Sequence, residues 1–212
     1  QKASFVSNIP SHIPLNTQCS RLLDLVDQNQ LFERIAKFAG NELKLQTELR
    51  QDFSSEMVSS ALTQVDLRLR GAEKFTLASQ MWFDRRGLEQ STAEPISHHK
   101  AQRFEGEVWD LCCGLGGDAI GLAGQCRVTA VDLNPASCLQ TWLNAGVYQC
   151  QDQINVRCED VTTLDLAGKL VHIDPDRRPQ GNRVIRMEDA EPGLPFLKEL
   201  MQSARGGAIK LS

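Results

Sequence analysis

The run "EVWDLCCGLGGDAIGLA", residues 107–123, constrains the fold more than any other stretch of the chain. A β-rich apolar segment enters a turn holding Gly114, Gly116 and Gly117 and leaves as a helix that starts near Asp118. In an open parallel sheet, ligands lie beyond the carboxyl ends of the strands. Glycines at such a turn let backbone approach a ligand with no Cβ in the way. The helix behind the turn aims its first N–H groups at whatever is bound. The same texture continues downstream: "RVTAVDL", "PASCLQTWLNAGVYQ", "INVRCED", "KLVHID", "PFLKELMQSA" and "GAIKLS" alternate between strand-like and helix-like patterns. Short connections between them predict right-handed crossovers and a mostly parallel sheet of five strands. A sheet of this type ordinarily has more strands, and an uncovered edge is a liability, so the chain is expected to be a piece of a longer protein.

Upstream the pattern is different. From about 18 to 75, "SRLLDLVDQ", "QLFERIAKFAG" and "SSEMVSSALTQVDLRLRGAEKF" place apolar residues three and four apart, as helices do. Gly40 fits a helix C-cap, and Ser54-Ser55-Glu56 fits a helix start. Pro95 and Ser97 are expected to open a further helix through "SHHKAQRF". The chain therefore divides into a helical N-terminal region, 1–104, and an α/β domain, 105–212. With 212 residues, 41% of them hydrophobic, it can bury one good core with a smaller helical attachment. A net charge of −4 argues against a protein that coats nucleic acid indiscriminately. Seven scattered cysteines with no CxxC pair read as reduced thiols of a cytoplasmic protein, with neither a disulfide framework nor a metal site. The sequence shows no signal peptide and no apolar run approaching the ~20 residues that span a bilayer, so no membrane association is expected.

Three ligands compete for the glycine turn. A nucleoside triphosphate loop needs GxxxxGK[ST], and the lysine and hydroxyl are missing. Gly114-x-Gly116-x-x-Ala119 satisfies the weaker GxGxxA form of a dinucleotide site, with Asp132 near the ribose position. The third candidate is S-adenosylmethionine, for which Asp110 stands just before the turn. Charge favours this one: a carboxylate at Asp118 repels a pyrophosphate, whereas Asp110 and Asp118 suit a ligand carrying a sulfonium and an ammonium. The less favoured alternative for Asp118 is a cap stabilising its own helix. Asp132, with Leu133 beside it, is placed for ribose hydroxyls, and Asp160 with the N–H of Val161 for an adenine amine. Turn chemistry explains any one of these acids more easily than all of them together.

Asp174-Pro175 follows the fourth strand, where amino-methylating enzymes keep an Asp/Asn-Pro-Pro-aromatic loop. Methyl transfer is an in-line displacement, so the acceptor nitrogen must be held ~3 Å from the methyl carbon. A carboxylate and a backbone carbonyl accepting its N–H bonds can do this, which makes Asp174 and Pro175 the candidate catalytic positions; the alternative is a plain turn after a strand. Asp176-Arg177 departs from the motif and supplies no stacking ring. Arg177, Arg178, Arg183 and Arg186 could meet phosphates of an RNA or pair with Glu188, Asp189 and Glu191 in solvent. Trp82 and Phe83 could stack on a base or belong to the core. Cys112 and Cys113 read as small buried residues lining the site, not as nucleophiles, and the histidines lack ligand spacing, so no metal is expected.

The segments "ALTQVDLRLRGAEKF", "MWFDRRGLEQSTAEPISHHKAQRF", "VWDLCCGLGGDAIGLA", "VTAVDLNPAS", "RCEDVTTLDL", "VHIDPDRR" and "GAIKLS" resemble the bacterial THUMP-like class I S-adenosylmethionine-dependent methyltransferases. The chain is more distantly similar to trimethylguanosine synthases. The first resemblance runs from about residue 56 to the end. It implies a Rossmann-like sheet, S-adenosylmethionine as methyl donor and an RNA-directed activity. It also implies that Asp110, Gly114, Gly116, Asp118, Asp132, Asp160 and Asp174 face cofactor or substrate. Two other readings stay open: an NAD-dependent oxidoreductase, and a non-catalytic cofactor-binding module in RNA processing. Nothing in the residues fixes an oligomeric state.

Overall fold

A computed structural model describes residues 9–38, 40–175 and 190–210, except the side chain of Glu42. Among these residues five parallel strands form one sheet in the order β3-β2-β1-β4-β5. They are β1 (Gly106–Leu111), β2 (Cys126–Asp132), β3 (Ile154–Cys158), β4 (Leu170–Ile173) and β5 (Gly206–Ile209). This is the doubly wound, Rossmann-like arrangement expected from the alternating pattern. The order reverses between β1 and β4, so the crevice at the carboxyl ends opens at that point. Register across the switch pairs Asp110 with His172 and Leu111 with Ile173.

Among the described residues six helices precede the sheet: α1 (Thr17–Val26), α2 (Asn29–Lys37), α3 (Glu42–Leu49), α4 (Ser55–Gly71), α5 (Arg85–Gln90) and α6 (Glu94–Ala101). Three follow within it: α7 (Gly117–Ala123), α8 (Pro135–Val147) and α9 (Leu194–Ser203). Ser54 caps α4 as the sequence suggests, accepting a hydrogen bond from the Met57 N–H at 3.2 Å. Gly40 does not close α2. That helix ends at Lys37 with Phe38 as C-cap, because Phe38 turns into an extended conformation before the glycine is reached.

The core crosses the boundary near residue 105. Leu67, Phe75, Met81, Phe83 and Ala101 from the helical region pack in one cluster with Val108, Ala119, Val128 and Ile154. A second cluster joins Cys19, Leu25, Leu31, Val58 and Trp82 to Leu139 and Leu143 of α8. The opposite face of the sheet is covered by Leu197 and Leu200 of α9, packed on Leu111, Val131 and Ile173. Asn144 of α8 stitches the two parts together. Its amide oxygen accepts from the Trp82 N–H at 2.8 Å, and its nitrogen donates to the carbonyls of Trp82 (3.1 Å) and Leu115 (3.0 Å).

Helix α6 lies directly against α7, and glycine makes that approach possible. A Cβ on Gly121 would stand 2.5 Å from Ser97 Oγ and 2.8 Å from the Ser97 carbonyl carbon. Neither atom is free to withdraw, since Ser97 is buried and its hydroxyl donates to the Glu94 carbonyl. Gly121→Ala is expected to force the helices apart and cost about 1–3 kcal/mol, read as a lowered urea midpoint with an unchanged m-value.

Candidate active site

The glycine turn begins with an abrupt reversal. Cys112 adopts a left-handed φ of 61°, Gly114 follows at 57° and Gly116 at 90°. Gly116 is the N-cap residue of α7, and a side chain there would press on Thr141 of α8 at 3.1 Å. Among the described residues nothing stands within 4 Å of where a Cβ of Gly114 would be, so that side of the turn has room for a close approach. Asp132, at the end of β2, braces the turn: its Oδ2 accepts from the Gly114 N–H at 2.9 Å and its Oδ1 from the Asn134 N–H at 2.8 Å.

A cleft of about 1280 Å³ runs across the carboxyl ends of the strands. Asp110, Gly114, Asp118, Asp132, Leu133, Asp160, Val161, Asp174 and Pro175 all line it, so the structure brings together residues spread over 66 positions of sequence. Leu133 is 71% exposed, an apolar side chain presented to the cleft between two polar neighbours. Asp160 Oδ1 accepts from the backbone N–H (2.9 Å) and hydroxyl (2.7 Å) of Thr162. These bonds hold its carboxyl below the usual carboxylate range. Gly116 shapes the turn but does not line the cleft. Phe83 is buried yet reaches the wall, whereas Trp82 sits in the helical layer with Arg68 over its ring at 4.6 Å. Arg177 and Arg178 lie outside the described residues. Burial pushes the Cys113 thiol well up, which makes it a packing residue and a poor nucleophile.

The floor of the cleft holds a feature that periodicity and motifs do not reveal. Asp110 and His172 are each only 1% exposed, and Asp110 Oδ1 meets His172 Nδ1 at 2.7 Å. His172 Nε2 is 3.1 Å from the Nζ of Lys100 on α6. Lys100 in turn forms an ion pair with Asp118, whose Oδ2 accepts from the Thr92 hydroxyl at 2.7 Å. Beyond Thr92 stands Lys210, 3.2 Å from its Oγ1 and 2.5 Å from Asp174 Oδ2. Two lysines thus lie among the three carboxylates of the glycine-turn and fourth-strand region. The signal for Lys100 and Lys210 was weak in the sequence, because neither belongs to a recognised spacing. His172 was visible only as a strand residue.

The charges explain the titration of these groups. Burial raises the Asp110 carboxyl, against the opposing pull of His172. Burial would lower the His172 imidazole, but the hydrogen bond and charge of Asp110 outweigh it and hold the ring above its ordinary value. Both shifts mean that the pair retains its proton. Burial also works against ionisation of Asp118, yet His172, Lys100 and the Thr92 hydroxyl hold its carboxyl below the ordinary range.

The donor set fits S-adenosylmethionine. Asp110 Oδ2 is buried with no hydrogen-bond partner among the described residues, an orphan acceptor suited to a ligand ammonium. Each floor carboxylate is set against one basic side chain, Asp118 against Lys100, Asp174 against Lys210 and Asp110 against His172, so the floor carries no surplus positive charge to hold a pyrophosphate. Asp132 and Asp160 stand at or just past the ends of adjacent strands, with the exposed Leu133 beside Asp132.

In fold and in sequence the chain is similar to S-adenosylmethionine-dependent methyltransferases. Residues 106–187 match the family of RNA cap guanine-N2 methyltransferases, and residues 29–71 match a domain family of unknown function. Two uncharacterised S-adenosylmethionine-dependent methyltransferases, from two strains of Mycobacterium tuberculosis, are each 30% identical to the chain over 119 residues. That match covers 55% of this chain and 32% of each relative. The crystal structure of a candidate methyltransferase from Porphyromonas gingivalis W83 shares the fold at a TM-score of 0.59 and 24% identity, covering 83% of this chain and 44% of that one. The chain therefore spans about a third of the length of the curated relatives it matches. No group of three or more His, Cys, Asp or Glu that could hold a metal exists among the described residues, nor a helix long and apolar enough to cross a membrane.

Lys100→Met should expose the cost of this network. It leaves Asp110 and Asp118 buried without their cation, and a loss of about 3–5 kcal/mol is expected at neutral pH. In the wild type, Asp118 is held below its unfolded pKa, so its contribution is present above about pH 4 and fades as pH falls further. Urea titrations from neutral pH down to pH 3 should show that acid loss in the wild type and a smaller one in the variant.

Proposed function

We propose that this chain is the catalytic part of an S-adenosylmethionine-dependent methyltransferase that modifies an amine of an RNA base. It would consist of a methyltransferase domain, 105–212, preceded by a helical region, 1–104. The observation that carries the reading is the row of acceptors across the sheet: Asp160, Asp132, Asp110 and Asp174 on the same cleft, in the strand order β3-β2-β1-β4. An extended ligand with adenine and ribose at one end and an ammonium at the other matches that row. The match of residues 106–187 to cap guanine-N2 methyltransferases supports an amine of a base as acceptor. So does the resemblance to the THUMP-like methyltransferases. Scattered free cysteines are consistent with a cytoplasmic setting.

S-adenosylmethionine supplies an electrophilic methyl group on a sulfonium that departs as a neutral thioether, so little general-base strength is required. The work left to the protein is placement. Asp132 would accept from the ribose hydroxyls, Asp160 and the Val161 backbone would meet the adenine edge, and Leu133 would cover its face. Asp110 would receive the ligand ammonium. Asp174 and the Pro175 carbonyl would accept hydrogen bonds from the acceptor amine and turn its lone pair toward the methyl. A cleft of about 1280 Å³ exceeds the ~300–1,000 Å³ that small-molecule sites need, leaving room for an acceptor beside the cofactor.

Calorimetric titration with S-adenosylhomocysteine and, separately, NAD tests this reading. S-adenosylhomocysteine should bind and NAD should not. Asp132→Ala, which removes charged hydrogen bonds to ribose, should weaken the former about 10- to 100-fold. NAD binding in its place would sink the methyltransferase reading. A tritium-methyl transfer assay on cellular RNA then separates an active enzyme from a non-catalytic binding module.

A further inference from the structure

Asp174 does not meet the cleft alone. Lys210, the last of the described residues, continues β5 beyond Ile209, and its backbone N–H donates to the Ile173 carbonyl at 2.9 Å. This ladder bond places the lysine beside Asp174, since both residues lie just past the ends of neighbouring strands. The ammonium is then fixed by three acceptors: Asp174 Oδ2 at 2.5 Å, Thr92 Oγ1 at 3.2 Å and the Gln90 carbonyl at 3.3 Å. Only one of them belongs to Asp174, so the α5–α6 connection also contributes to holding Lys210 in place. Both side chains of the pair remain 24% exposed and both residues line the cleft. An isolated carboxylate at this point would favour a cationic amine. A carboxylate already matched by a fixed ammonium does not.

We propose that Lys210 is a specificity-determining residue: by neutralising Asp174 it makes the acceptor position accept an unprotonated, conjugated amine such as that of a nucleobase and reject an alkylammonium such as a lysine side chain or a polyamine. The paired Oδ2 leaves Oδ1 as the oxygen that receives an acceptor N–H, and the adjacent ammonium repels any acceptor that arrives protonated. A protonated amine has no lone pair to offer the methyl group, so the same charge arrangement that selects the substrate also excludes an unreactive form of it. The inference rests on the reading that S-adenosylmethionine binds this cleft with Asp174 at its methyl end.

The test reads charge at the methyl position without needing the acceptor. Sinefungin is an S-adenosylmethionine analogue carrying a protonated amine where the transferable methyl stands, and S-adenosylhomocysteine has nothing there. The quantity measured by calorimetry is the preference for sinefungin over S-adenosylhomocysteine. Lys210→Met should raise that preference at least about fivefold by uncovering Asp174, and Asp174→Asn should lower it. Lys210→Arg, which keeps the charge, should leave it near the wild-type value. An unchanged preference in both Lys210→Met and Asp174→Asn, with S-adenosylhomocysteine still bound, overturns the role of Lys210 and leaves the cofactor assignment standing. Should Lys210→Met fail to fold, Lys210→Gln and Asp174→Asn carry the same comparison. Absence of S-adenosylhomocysteine binding to the wild type is a different result, since it overturns the cofactor reading and this inference with it.

Discussion

The ammonium of Lys100 is the point on which the site depends. It stands between His172 and Asp118, close to two carboxylates that would otherwise face each other across a buried cleft floor. Four separate elements meet through it: α6 supplies the lysine, β1 supplies Asp110, β4 supplies His172 and α7 supplies Asp118. Buried acids so close together repel each other unless a cation intervenes. The glycine turn can therefore keep its flanking carboxylates because a helix from outside the strand-turn-helix unit brings the compensating charge. Close packing of α6 on α7 at Gly121 and Ser97 is the steric condition for that delivery.

Much of the fold was legible. The alternation after residue 105 anticipated each of the five strands and the three helices among them, because period-2 and period-3.6 patterns are strong in short, buried α/β units. Ser54 and Pro95 marked helix starts for local reasons that tertiary packing did not override. Gly40 failed as a stop signal because the chain had already left the helix at Phe38. The cleft residues Asp132, Leu133, Asp160, Val161, Asp174 and Pro175 could be placed because strand ends in a parallel sheet converge on one edge. What that logic cannot supply is which side chain reaches which. Their positions mark Asp110 and Asp118 as carboxylates suited to a cationic ligand, with a helix cap as the alternative for Asp118. In the fold Asp118 is paired with Lys100, and Asp110 gives one oxygen to His172 while the other has no hydrogen-bond partner among the described residues. The distance in sequence explains the gap. Asp110 and His172 are 62 positions apart and Lys210 and Asp174 are 36 apart, with no motif spacing to join them.

The two lysines play different parts. Lys100 is largely withdrawn from the cleft and settles charge that the fold itself has buried. Lys210 stands on the wall and acts on what enters. Thr92 lies between them, its hydroxyl donating to Asp118 while its oxygen stands 3.4 Å from Lys100 and 3.2 Å from Lys210. A single hydroxyl thus couples the compensated floor to the acceptor side, so a change in charge on one side is felt on the other through one short polar link.

Asn144 gives the architecture a consequence for modularity. Its side chain bonds the backbone of Trp82 on both edges, as a neighbouring strand would, and holds the Leu115 carbonyl of the glycine turn with the same amide nitrogen. The textural border near residue 105 is consequently not a seam along which the molecule can be cut. A transplanted α/β half would carry an unmatched buried amide and a turn stripped of its backing, so recombination with a different amino-terminal helical layer would succeed only where that layer brings its own extended segment to Asn144.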